Sequence, residues 1–166
     1  MKIHITVLMS VFNGEHFLKS SISSVLNQSF TEFEFIIIND GSTDNSESII
    51  RQFSKNDKRI KILNKNNTGL TNSLNQGIKI AKGEWIARID SDDICEKNRL
   101  ETQYNFARSS KLFVLIGSNF HIIDKKETKL KVYKYPSDHK NLKKFIIDKK
   151  FSFPHSSFFI KAKSLK

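Results

Sequence analysis

The amino-acid sequence predicts an α/β fold, a mostly parallel Rossmann-like sheet with helices on both faces, and three observations carry that reading. Over residues 1–118, apolar strand-like runs alternate with stretches of helical periodicity, the pattern of a parallel sheet joined by crossover helices. The best-formed runs are nearly continuous in apolar residues, as strands covered on both faces are. Three of the runs end in short clusters of Asn, Asp, Gly and Ser, and ligands of such sheets bind just beyond the carboxyl ends of the strands.

Each element follows from its own pattern. Ile3–Val11 reads as a buried first strand, interrupted only by His4, Thr6 and Ser10. No small-residue cleavage site follows it, so it is not read as a signal peptide. Glu15–Gln28 places Leu18, Ile22, Val25 and Leu26 on one helical face. Phe33–Asn39 is the second strand. Asp44 and Glu47 have the spacing of a capping box that opens a helix to about Phe53. Arg59–Leu63 is a short third strand. Leu70–Ala81 is a helix with Leu74 and Ile78 four apart, stopped by Gly83 just past Lys82. Glu84–Asp90 is the fourth strand, Asn98–Arg108 the fourth helix and Leu112–Gly117 a fifth strand. Beyond Gly117 the pattern changes. Phe120–Ile123 and Lys129–Tyr133 flank Asp124-Lys125-Lys126-Glu127 as a hairpin, Leu142–Ile147 is a short amphipathic helix, and the aromatic stretch Phe151–Ile160 returns to the sheet. No repeat or linker divides the chain, which is read as one domain over 1–166, with a regular α/β part (1–118) and an irregular basic part (119–166).

Composition narrows the function. At 166 residues with 38% hydrophobic content the chain can build a real core, which excludes a disordered protein. No apolar run is long enough to span a bilayer. The single cysteine, Cys95, excludes an internal disulfide framework and fits the reducing cytoplasm. The net charge of +11 is uneven: residues 1–110 carry 14 Lys and Arg against 13 Asp and Glu, and residues 111–166 carry 14 against 4. An anionic membrane surface would account for the basic third, and so would a lysine-rich solvated face. No nucleic-acid-binding motif accompanies it, so nucleic acid is not expected as a partner.

The segment Trp85-Ile86-Ala87-Arg88-Ile89-Asp90-Ser91-Asp92-Asp93 is the most informative. A strand runs into three carboxylates within four positions. Like charges at that density raise one another's pKa unless a cation sits among them. Oxygen ligands suit Mg²⁺ or Mn²⁺, and Mg²⁺ uses one or two carboxylates together with substrate phosphates. The alternative is a solvated acidic turn capping the next helix. Two further loops share this double reading. Asn39-Asp40-Gly41-Ser42 is either a ligand-binding turn or an Asx-turn leading into a helix. Asn66-Asn67-Thr68-Gly69 offers backbone N–H groups to a phosphate or simply caps the helix behind it.

Taken together, Val7–Glu15, Ser24–Phe30, Ile37–Asp44, Asn67–Leu70 and Gly83–Asp93 occur in the order and spacing of the family 2 glycosyltransferases, which this chain resembles over residues 3–108. The resemblance implies the A-type glycosyltransferase fold, cut short at its C-terminal end, and a nucleotide-sugar donor site, with UDP as the usual nucleotide. Ser10, Val11 and Phe12, with Glu15 closing the same stretch, match the segment that cradles the base, where Tyr is more usual than Phe12. Asp40 matches the carboxylate that hydrogen-bonds the base, and Asn67 a loop residue near the nucleotide. Asp90 is then expected near the ribose, with Asp92 on the metal and Asp93 beside it as a further metal ligand. Members that hold phosphate with an arginine place it near Leu74, so Arg88 or the basic tail would have to serve here.

The implied reaction is metal-assisted, inverting transfer of a sugar from a UDP-sugar to a saccharide or lipid-linked acceptor. The setting would be cell-surface polysaccharide or lipo-oligosaccharide synthesis in the cytoplasm or on the inner face of the membrane. The family places its base in a Glu-Asp pair, and no such dipeptide occurs in this sequence. His155, in Phe153-Pro154-His155-Ser156-Ser157-Phe158, is the substitute candidate, and a structural histidine is the ordinary alternative. A donor-binding module without transfer activity is therefore the rival expectation. If a covering segment is missing, the aromatics of Phe151–Phe159 would be exposed and the chain would self-associate through them.

Overall fold

The computed structural model describes residues 3–148 and 154–165. Strands β1 (Ile5–Val11), β2 (Phe33–Asp40), β3 (Ile60–Lys65) and β4 (Trp85–Asp90) run parallel, in the spatial order β3-β2-β1-β4. Helices α1 (Glu15–Leu26), α2 (Ser46–Asn56), α3 (Leu70–Ile80) and α4 (Arg99–Arg108) follow the four strands in turn. Every residue of β2 is buried, which explains why Phe-Glu-Phe-Ile-Ile-Ile shows no clean alternation: both faces of the sheet are covered. Val7, Met9, Val11, Phe35 and Ile37 enter the larger core with Leu18, Ile22, Ile50 and Leu100 of α1, α2 and α4. Leu8, Ile36, Ile38 and Ile86 form the second core, packed by Leu74 and Ile78 of α3. Gly77 allows this close seat, because a Cβ there would stand 2.3 Å from Leu8 Cδ1 and 2.8 Å from Ile38 Cδ1.

The strand order reverses between β1 and β4, and in such sheets that is where a ligand crevice opens. In register, Ser10 stands beside Asp90 and Val11 beside Asn39, so the polar clusters after β1, β2 and β4 meet on one rim.

In the last third the alternation ends, as expected beyond Gly117, and the chain returns to the main sheet at β8 (Phe159–Lys161). The fifth strand shrinks to β5 (Leu115–Ile116) and does not pair with β4. Instead β8 (Phe159–Lys161) inserts antiparallel between them. The driving contact is apolar: the fully buried Phe159 stacks on Trp85 with ring centroids 5.1 Å apart. For Phe158 and Phe159 this corrects the expectation that the aromatics of Phe151–Phe159 are exposed. Phe159 is in the core and Phe158 is half-buried, while Phe151 and Phe153 lie outside the described residues. The hairpin β6 (Phe120–Ile123) and β7 (Lys129–Tyr133) has the bounds the sequence predicts and forms its own two-stranded sheet. Helix α5 (His139–Ile147) begins earlier than the apolar pattern indicates, because Asp138 caps it by accepting from the Asn141 N–H.

The capping box at Asp44 does not form. Asn45 occupies the N-cap of α2, Asp44 accepts from the N–H of Ser46, the first residue of the helix, and Glu47 pairs with Arg51 and Asn64 instead. Among the described residues no helix is long and apolar enough to cross a membrane.

Candidate active site

The rim is built by two kinds of loop. The first kind is stitched together by its own polar side chains. After β1, the Asn13 N–H donates to Ser42 Oγ at 3.1 Å, the Gly14 N–H to Ser46 Oγ at 2.9 Å and the Glu15 N–H to Asp44 Oδ2 at 3.0 Å. In return, Thr43 N–H donates to Asn13 Oδ1, and both the backbone and side-chain nitrogens of Asn45 donate to Glu15 Oε2. Glu15, expected near the nucleotide, thus fastens the start of α1 to the start of α2. Phe12 projects beyond this lattice with half its surface exposed (52%), a ring free to stack. Ser10 is half-buried, whereas Val11 points into the core, which leaves only its backbone at the rim.

Asp40, at the end of β2, is 2% exposed and nearly saturated. It pairs with the Lys65 ammonium and accepts from the backbone N–H groups of Thr68 and Gly69, each at 2.9 Å. Burial raises its carboxyl pKa, but the Lys65 hydrogen bond and the Thr68 amide outweigh burial and hold it below the ordinary value. Asp40 therefore shapes the loop that carries Asn67, whose side chain is exposed. Gly41 completes this fit. It takes a φ of +74°, and a Cβ there would meet the Asn67 backbone nitrogen at 2.7 Å.

The end of β4 is different. Three carboxylates crowd together, and only one has a full partner. Arg88, 5% exposed, grips Asp90 with both terminal nitrogens, Nη1 at 2.6 Å from Oδ2 and Nη2 on Oδ1. This corrects the expectation that Arg88 holds phosphate, since its guanidinium is buried and committed. Asp92 is exposed. Burial pushes the Asp93 carboxyl above its ordinary value, and the charges of Asp90 and Asp92 add to the rise; the Ser156 hydroxyl and Arg99 oppose it. The turn itself is held by Ser21, whose hydroxyl donates to the carbonyls of both Asp90 and Asp93. Ser91 Oγ lies 3.2 Å from the position of a Cβ on Gly14, so the β4 and β1 loops touch.

The segment around His155 reaches this corner through the insertion of β8. His155–Ser157 forms a 3₁₀ turn whose Ser156 hydroxyl bonds Asp93, while Arg99 Nη2 donates to the carbonyls of Arg88 and Ser156. His155 is exposed on that turn. Beside it a cleft of about 640 Å³ opens between α4 and the hairpin, lined by Asp93, Arg99, Gln103, Asn119, Phe120 and Ser156 among others. Sequence reasoning missed Arg99, Ser21 and Ser156, the residues that tie the acidic turn to α1, α4 and the 3₁₀ turn. No local pattern marks them, because their partners lie far away along the chain.

The donor set fits Mg²⁺ or Mn²⁺ in kind: carboxylate oxygens only, crowded enough to raise one pKa. Among the described residues no three His, Cys, Asp or Glu side chains enclose an ion by themselves.

Comparison with known proteins agrees with this geometry. The family model described as glycosyl transferase family 2 matches residues 6–166. An uncharacterized glycosyltransferase of Haemophilus influenzae is 40% identical over 74% of this chain and 38% of its own length. The uncharacterized glycosyltransferase MJ1057 of Methanocaldococcus jannaschii is 35% identical over 98% of this chain and 57% of its own. Among solved structures, S. aureus TarS in complex with UDP is similar with a TM-score of 0.60 and 27% identity, covering 64% of this chain and 32% of that one. The mannosyltransferase PcManGT of Pyrobaculum calidifontis, solved with GDP-Man and Mn²⁺, shares the fold with a TM-score of 0.65 at 16% identity, over 69% of this chain and 34% of that one. The chain thus spans between about a third and somewhat over half of the length of these relatives. With the A-type glycosyltransferase fold, the rim and a match over nearly its whole length in agreement, the chain belongs to glycosyl transferase family 2.

Proposed function

We propose that this chain forms the donor side of a glycosyltransferase that takes a sugar from a UDP-sugar with the help of Mg²⁺ or Mn²⁺. The observation that carries this reading is the acidic turn Asp90–Asp93 at the β1/β4 switch point, with two carboxylates lacking a full partner. UDP as the nucleotude class is supported by the TarS complex, which is the more similar in sequence of the two ligand-bound structures.

In this reading Phe12 stacks on the base, and Asn67 borders it from the loop that Asp40 holds in shape. Asp90 faces the ribose, and Asp92 and Asp93 hold the metal. When bound there, the metal would supply Lewis-acid stabilisation of the diphosphate leaving group. The protein contributes a fixed floor: the Glu15–Asn45 and Asp40–Thr68 bonds tie the loops after β1, β2 and β3 to one another. Transfer with inversion also needs a base on the far side of the sugar. His155 stands beside the Ser156–Asp93 contact and is the residue of this chain we place in that role. The acceptor would be a saccharide or a lipid-linked saccharide, in surface polysaccharide assembly at the inner face of the membrane. The basic last third supports that setting by its charge alone.

The test is calorimetric titration of UDP with and without Mn²⁺ on the wild type and on Asp92→Ala, followed by UDP-sugar hydrolysis on the same samples. The proposal expects metal-dependent binding that drops by roughly a hundredfold or more in the variant, in line with loss of a charged ligand contact. Binding without hydrolysis would assign the chain to a donor-binding unit that lacks its own base. No binding by the wild type would sink the donor-site reading.

A further inference from the structure

Arg88 is an unusual residue to find in the middle of a buried strand. Its side chain is 6% exposed, while that of its partner Asp90 is 35% exposed. The two form a fork-to-fork pair, the arrangement in which a guanidinium fixes both the position and the plane of a carboxylate. The remaining donor, Arg88 Nε, is buried without a hydrogen-bond partner among the described residues. A buried donor left unsatisfied is costly and calls for an explanation. Stability does not supply one, because a buried ion pair is often no better than a well-packed apolar pair.

The backbone around Arg88 is equally constrained. Its N–H donates to the Phe158 carbonyl at 2.9 Å, and its carbonyl accepts from Arg99 at 2.7 Å. The backbone of Arg88 is thus held along one edge of β4, by β8's lead-in and by α4. The side chain approaches Asp90 from the protein interior. The guanidinium occupies one lone-pair direction on each carboxylate oxygen, so the other two directions are left for the open rim.

We propose that Arg88 is a positioning residue for the nucleotide: it holds Asp90 from behind, so that the free lone pairs of this carboxylate face the ribose hydroxyls, and itself touches neither donor nor metal. The inference rests on the donor-site reading and adds to it. It also separates the roles of the three carboxylates. Asp90 is paired with Arg88 and serves hydrogen bonding, while Asp92 and Asp93, which have no such partner, are left for the cation.

The experiment measures binding of UDP, 2′-deoxy-UDP and 3′-deoxy-UDP in Mn²⁺ to the full chain, as wild type, Arg88→Met, Arg88→Lys, Asp90→Asn and the Arg88→Met/Asp90→Asn double variant. Wild type is expected to prefer UDP over at least one deoxy analogue by roughly ten- to a hundredfold, the range for a charge-assisted hydrogen bond. Arg88→Met should collapse that preference to within about threefold while keeping the Mn²⁺ requirement, as should Asp90→Asn; the double variant should be no worse than either single one, the signature of one coupled unit. Arg88→Lys keeps the charge without the fork and should fall between. An unchanged preference in Arg88→Met, or a uniform loss for all three nucleotides, would overturn the proposal in favour of a structural or phosphate-contacting role. Should Arg88→Met fail to fold, an unchanged preference in Arg88→Lys overturns it equally. Wild type that binds UDP without discriminating between the analogues overturns this inference alone, whereas wild type that binds no UDP overturns the donor-site reading together with it.

Discussion

The two sides of the rim carry similar numbers of carboxylates and use them in opposite ways. On the β1–β2–β3 side, Glu15, Asp40 and Asp44 are all consumed by the protein: Asn45, Lys65 with Thr68 and Gly69, and Ser46 with the Glu15 N–H. Asp40 and Asp44 are buried in a way that alone would raise their pKa values, yet their hydrogen bonds pull both below the ordinary carboxylate value. On the β4 side, Asp93 moves the other way, driven by burial and reinforced by its acidic neighbours. The lesson is that an acidic residue at a strand end is informative only through its partners. Satisfied carboxylates make loops, and crowded, under-satisfied ones are where the proposed cation would sit.

The sharpest way to break this comparison is to remove a satisfied carboxylate. Asp40→Asn leaves the Lys65 ammonium, itself largely buried, without its counter-charge. Losing one partner of a buried pair costs about 3–5 kcal/mol. Chemical denaturation should show that loss in full, and a variant as stable as wild type would mean that the Asp40–Lys65 pair is not structural. The same group sets a pH signature. Its folded pKa lies below the ordinary value of 3.8, so its contribution is fully present above that value and is lost as pH falls through the depressed one. In Asp40→Asn the acid limb of the stability curve below about pH 4 should flatten.

The opposite substitution sharpens the contrast. Asp93→Asn relieves burial of a charge and repulsion from Asp90 and Asp92, so it should stabilise the chain by roughly 0.5–2 kcal/mol while weakening Mn²⁺-dependent UDP binding, the usual trade at a functional site. The sign follows from linkage: a carboxyl whose folded pKa is raised makes folding less favourable as pH rises through the ordinary value towards the raised one, and Asn removes that penalty. A thermal melt shifted downwards would contradict the crowding argument. The smallest effect belongs to Glu15→Gln. It keeps the oxygen that accepts from Asn45 and loses only the charge, so a loss within about 1 kcal/mol and a UDP affinity within about threefold of wild type are expected. A larger loss of affinity on titration would return Glu15 to the nucleotide itself.

Much of the fold was legible in the chain. The order of strands and helices through Arg108 follows from runs such as Phe33–Asp40 and faces such as Leu18, Ile22 and Val25, because burial on both faces imposes continuous apolarity on strands and a 3.6-residue period on helices. The hairpin Phe120–Tyr133 was equally plain. Illegible were the partners across long stretches of chain. Leu112–Gly117 has a strand's composition, but that its neighbour is β8, seated beside β4 with Phe159 stacked on Trp85, depends on a contact far along the chain. Asp44 and Glu47 have a capping box's spacing, yet Arg51 and Ser46 offer them better bonds.

By itself, the sequence determined the alternation of elements, the polar ends of three strands and the resemblance that the family match upholds. Only the tertiary structure decided which carboxylates are spent and which are free. Asp40 meets Thr68 across 28 positions, Ser21 meets Asp93 across 72, and Arg99 meets Ser156 across 57. Local propensity is a property of neighbours along the chain and can be read from a window of residues. The satisfaction of a charge depends on whatever the fold carries to within about 3 Å of it, and no window of sequence contains that.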